Sequence, residues 1–254
     1  MLVAAALVPD TALLVPGAAG TADPVADLRD AALEVVTAAV SGASRVVVVA
    51  PGREVREATG TVRGSLGAAG IPDGMLGWPV PERSLDRPDG SGHSGGAGEP
   101  GALGVPAAVA LHLLARAGWD GPLGVLEVAD ADDLAARGRA LVARDRVALV
   151  VVGSGSGRHG PDAPLADDPR APAFDDRVLA ALADAGPAAR AQLAATDAVL
   201  AAELAVTGAA PWKVLVGAVG DVDVRATVPA AGTPAGAHHA VVLWSVTGAA
   251  ADGG

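Results

Sequence analysis

The chain holds 254 residues, 51% of them hydrophobic and 19% charged, a balance that belongs to a folded globular protein and excludes wholesale disorder. With 18 basic against 29 acidic side chains the net charge is −11, which argues against a basic nucleic-acid footprint and disfavours docking on an anionic membrane. Cysteine is absent, so disulfides, thiolate metal sites and a cysteine nucleophile are excluded as well.

Residues 2–8 form an apolar run that Pro9 closes, and they read as a buried strand. The first 20 residues lack a basic leader and are interrupted by Pro9, Asp10 and Pro16, so they do not read as a signal peptide. No uninterrupted apolar stretch approaches the ~18 residues of a membrane span. A cytoplasmic protein is expected. Asp23-Pro24 suits a helix start, with Asp as cap and Pro at the first helical position. Val25, Leu28, Ala32, Val35, Val36 and Val40 then recur at helical spacing. Residues 46–50 and 147–152 are apolar throughout, the pattern of strands covered on both faces in a parallel sheet.

Residues 84–101 are the low-complexity stretch and read as a flexible loop. Helices are expected at 106–117, 130–144, 171–185 and 187–206, and a strand at 122–128. The C-terminal part reads as strands at 212–219, 223–228 and 239–246. Alternating strands and helices predict one three-layer α/β/α domain over 1–254, with a largely parallel central sheet and antiparallel C-terminal strands.

Residues 155–160 satisfy G-x-G-x-x-G after a strand. Pro161 and Pro164 follow at once, whereas a pyrophosphate site needs a helix to begin there. Residues 153–157 place glycine where a nucleophile elbow needs serine. The histidines are His93, His112, His159, His238 and His239, and none pair at a metal-binding spacing. His159 is the best placed, just after the apolar strand; the competing reading is an exposed loop histidine. His238 and His239 open a strand, so at most one can face a given site. Asp162, Asp167, Asp168, Asp175 and Asp176 form an acidic cluster, read as helix-start carboxylates or as a hard-metal site. Lys213, the single lysine, sits in an apolar run and not in a Gly-rich loop.

Four stretches together resemble the class III extradiol ring-cleavage dioxygenase superfamily, in its subunit-B-like and Memo-like branch. They are residues 8–16, residues 46–52, residues 151–158 with 161–164 and Phe174-Asp175, and residues 208–218, the last read as a C-terminal strand. The resemblance implies an α/β fold and, in the family's enzymes, one non-haem Fe(II) held by two histidines and a carboxylate. This chain departs from that pattern at each of the family's histidines. Asp10 and Gly52 stand where the family has histidines after proline, and Gly157 stands for the histidine of its Ser-His-Arg segment. Glu203 is the nearest counterpart of the carboxylate.

The resemblance therefore implies a degenerate member, a pseudoenzyme candidate that binds a small molecule or a protein partner with no metal cofactor. The alternative is a metal-dependent dioxygenase or oxidoreductase whose site, drawn from Asp10, His159 and Glu203, has moved and holds Fe(II) or another divalent ion. Asp10 and His159 are the catalytic candidates in either case. An oligomer is compatible with the sequence.

Overall fold

The computed structural model describes residues 1–86, 101–161, 163 and 165–247. Among the described residues nine strands are formed: β1 (Leu2–Val8), β2 (Arg45–Pro51), β3 (Arg56–Glu57), β4 (Thr61–Arg63), β5 (Glu82–Ser84), β6 (Leu123–Val128), β7 (Val147–Val152), β8 (Val224–Gly232) and β9 (His239–Val246). Seven make one sheet in the order β3-β6-β2-β7-β1-β9-β8, while β4 and β5 form a separate ladder. β6, β2, β7 and β1 run parallel. β9 is antiparallel to β1, and β8 to β9. The fold is thus α/β with antiparallel C-terminal additions, as the patterning predicts.

The apolar runs become central strands because both of their faces are covered. Ala6, Val8, Val48 and Val150 point into one core, under α1 (Ala26–Val40) and α2 (Val105–Arg116). Leu7, Val47, Val49 and Val151 point into the other. That second core is closed by α3 (Leu134–Leu141), α4 (Ala171–Asp184), α5 (Pro187–Ala194), α6 (Ala198–Glu203) and α7 (Ala209–Val219). Each fully buried Val or Leu contributes about 1.5–3 kcal/mol, so a strand apolar on both faces is best satisfied in the middle of such a sandwich.

Three expectations need correction. The run expected as a strand at 212–219, and with it the family-like strand over 208–218, is the helix α7. A fully apolar run does not distinguish a buried strand from a buried helix. Here Pro211 falls in the first turn, and α7 packs backbone-close on α3. A Cβ at Gly138 would overlap the Val214 carbonyl, so the close approach requires glycine. The helix expected over 187–206 is broken into α5 and α6, because Asp197 caps a new start by accepting from Val199 and Leu200 N–H at 2.8 and 3.2 Å. Asp23 does not cap α1, whose N-cap is Val25; its carboxylate binds Arg29 instead. Of the loop expected at 84–101, residues 87–100, with His93, lie outside the described residues; Ser84 ends β5, and Gly101 N–H bonds Thr61 O at 2.7 Å. Among the described residues no helix is long and apolar enough to cross a membrane.

Candidate functional site

Parallel topology brings the carboxyl ends of β1 and β7 side by side, and β9, running the other way, starts at the same edge. Asp10 follows β1 after Pro9, Ser154 follows β7 after Gly153, and His239 opens β9. This is the edge where α/β sheets place their ligands.

The three side chains form one hydrogen-bonded line. Ser154 Oγ donates to Asp10 Oδ1 at 2.5 Å and meets His239 Nδ1 at 2.8 Å. Ser154 Oγ also accepts a long bond from the Asp10 N–H at 3.4 Å. A hydroxyl has one proton and two lone pairs. The proton goes to Asp10, so His239 must donate, which fixes it as the Nδ1–H tautomer and leaves the Nε2 lone pair free. Ser154 has no lone pair left for a substrate and so bridges rather than attacks. Its backbone is held too, its N–H donating to Thr207 Oγ1 at 2.8 Å. Burial pushes His239 below the ordinary histidine value, against the pull of the Asp10 carboxylate and with a small push from His238. His239 Nε2 has no hydrogen-bond partner among the described residues.

A second polar cluster lies across the 153–157 loop. Asp175 on α4 is buried; Oδ1 accepts the Ser156 N–H at 2.9 Å and Oδ2 binds His159 Nε2 at 2.6 Å. His238 Nδ1 stands 3.9 Å from Asp175 Oδ1, too far for a hydrogen bond, and is sealed without a partner. Burial lowers the His238 basicity, Asp175 and Asp176 oppose that, and His159 adds to it. The whole arrangement depends on Gly155. A Cβ there would lie 2.6 Å from His238 Nδ1 and overlap Asp175 Oδ1.

The residues singled out from the sequence are thus distributed and not gathered. Asp10 serves the first cluster and His159 the second. Glu203, at the exposed end of α6, pairs with Arg170 at 2.8 Å. Of the acidic cluster, Asp167 accepts the Gly160 N–H at 2.6 Å. Arg170 hydrogen bonds hold the Asp168 carboxyl down at about 2, Asp175 is buried, and Asp162 lies outside the described residues. The first turn of α4 carries no acidic residue, so none of them is a helix-start carboxylate of that kind. Among the described residues no group of three or more His, Asp or Glu side chains is arranged to hold a metal ion.

The family-like iron positions do not fit the ion either. Asp10 is committed to Ser154. A side chain at Gly52 would begin 2.9 Å from Glu127 Cβ, so that place is already filled. Glu127 is itself engaged, accepting the Gly104 N–H at 2.7 Å and binding Arg56. The glycine-rich segment is equally unsuited to a phosphate, which needs free backbone N–H groups. From Gly153 to Gly160 the amides all donate within the protein: to Val8, Thr207, His238, Asp175, Leu204, Ser156, Gly236 and Asp167 in turn.

Ser154 and His239 carry the site yet were weak signals in the sequence. The usable signal is positional: a polar residue just past two apolar strands and one at the start of an antiparallel third.

No family model matches the chain, and no curated protein matches it. A solved structure of an uncharacterized protein from Escherichia coli K12 is similar at 17% identity and a TM-score of 0.49, over 96% of this chain and 99% of that one.

Proposed function

We propose that this chain is an extradiol-dioxygenase-like α/β protein whose site at the carboxyl edge of the sheet binds a small neutral molecule without iron chemistry. The observation that carries the reading is the line Asp10–Ser154–His239. The carboxylate at the family's first ligand position is spent on a hydroxyl, and the hydroxyl presents an imidazole nitrogen as the free acceptor. A neutral imidazole beside a carboxylate favours an uncharged donor over an anion, and the net charge of −11 works in the same direction. The protein is taken as cytoplasmic and as acting on a small molecule, with no nucleic acid or membrane involved.

The test combines metal analysis with binding. Protein purified with Fe(II) present and then dialysed should hold well under one iron per chain, and protocatechuate should drive no oxygen uptake. Added catechol should still shift the His239 imidazole resonances. One tightly held iron per chain with oxygen uptake, or no shift at His239, overturns the reading.

A relocated metal site is the second reading. It is favoured by the buried Asp175–His159 pair, an arrangement that orients metal-ligating imidazoles in metalloproteins. A His159→Ala variant that loses bound metal would support it, and retention of the metal would count against it.

A further inference from the structure

The hydrogen-bond line does more than shape a pocket. Its two ends differ: Asp10 is a fixed negative charge, and His239 offers a lone pair that nothing in the described structure uses. Ser154 couples them, accepting from His239 Nδ1–H and donating its own proton to Asp10. If His239 Nε2 takes a proton, the Nδ1–H stays on Ser154 Oγ and the new positive charge faces Asp10 through a single hydroxyl. No group has to reorient, and such preorganisation is what proton-transfer sites need.

We propose that His239 is a general base acting through Nε2, that Asp10 and Ser154 are its positioning residues, and that the site moves a proton within a neutral β-dicarbonyl compound. The inference rests on the small-molecule reading above and names its chemistry. The step balances by itself. The C–H bond between the two carbonyls breaks and a bond to Nε2 forms. The electron pair moves onto a carbonyl oxygen as the enolate, and the imidazolium then returns the proton to that oxygen. The product is the enol, and no oxidant, reductant or co-reactant is consumed. A β-dicarbonyl suits the site for two reasons. Its C–H is acidic enough for an imidazole to remove without a strong electrophile, and the molecule is uncharged until the moment of transfer.

The groups facing His239 decide its pH behaviour. They are Asp10, which raises its basicity, and His238, which lowers it. Base catalysis should therefore rise with pH through a range below the ordinary histidine value. Asp10→Asn should move that rise to lower pH.

Two measurements test the proposal. The first is the ring-nitrogen spectrum of His239 in the unmodified protein, where the Nδ1–H tautomer is expected; Ser154→Ala should lose this preference. Finding the Nε2–H tautomer in the unmodified protein overturns the proposal, whatever the activity. The second is deuterium exchange at the central carbon of pentane-2,4-dione in D₂O. The rate above buffer should fall about 100-fold in folded His239→Gln, and its pH profile should move in Asp10→Asn. Exchange no faster than buffer, or unchanged in His239→Gln, overturns the proton-transfer step. A catechol-induced shift at His239 would in that case leave the small-molecule reading standing.

Discussion

His238 and His239 are neighbours in the chain and both are buried, yet they sit in clusters with opposite characters. His239 belongs to a line whose outer nitrogen has no partner among the described residues. His238 faces a carboxylate it cannot reach, and its Nδ1 is sealed without a partner. His239 opens β9 and meets Ser154, while His238, just before the strand, faces Asp175. The difference teaches that a buried polar cluster is identified as a site by what it leaves free and not by which residues it contains. Asp175, His159 and His238 are as chemically capable as Asp10, Ser154 and His239. The hydrogen bonds of Asp175 and His159 are turned inward, onto the Ser156 amide and each other, and leave His238 Nδ1 without a partner.

The largest effect that would break this division is on stability. Asp175→Ala strips the Ser156 N–H and His159 of their acceptor, and a buried donor left unpaired costs about 1–3 kcal/mol. A loss of about 3 kcal/mol is expected in denaturant unfolding, with Asp10→Ala losing about 1 kcal/mol because Asp10 is only half-buried. Equal losses would show that both clusters are structural.

A smaller effect is expected with pH. Burial holds His238, His239 and His112 below the value of 6.5 that they regain on unfolding. The unfolded chain then binds more protons in mild acid, so stability is fully present above about pH 6.5 and is lost as pH falls through the folded values. Unfolding free energy measured from pH 7.5 downward should decline from about pH 6.5. His238→Gln and His239→Gln should each flatten that decline. A flat profile in the unmodified protein would contradict the burial of these rings.

The smallest effect is expected at Glu203. Its partner Arg170 is on the surface, where an ion pair contributes little. Glu203→Gln should leave the melting temperature and the His239 resonances unchanged. A shift at His239 would join Glu203 to the edge site and revive the set of Asp10, His159 and Glu203.

Much of the scaffold was legible in the chain. β1 and β7 have the bounds that their patterns predict, because a strand buried on both faces must be apolar at every position and few other contexts require that; β9 has its expected bounds too, although it is only partly buried. The run at 212–219 was not legible. Its apolar residues suit a buried helix equally well, and the choice came from its packing against α3. Asp10 was visible as a polar residue just past a strand, and His159 as a histidine after another. Their partners were not, since Ser154 and His239 are 85 residues apart in the chain.

Composition, charge and hydrophobic period by themselves determined an α/β chain with apolar central strands, a net negative charge and no thiol chemistry. These are properties that each segment carries locally. Only the tertiary structure decided which polar residues share an edge, which tautomer His239 holds and which carboxylates are already spent. Those outcomes depend on pairings between distant strands, and a hydrogen bond exists only once the fold has brought donor and acceptor within about 3 Å of each other.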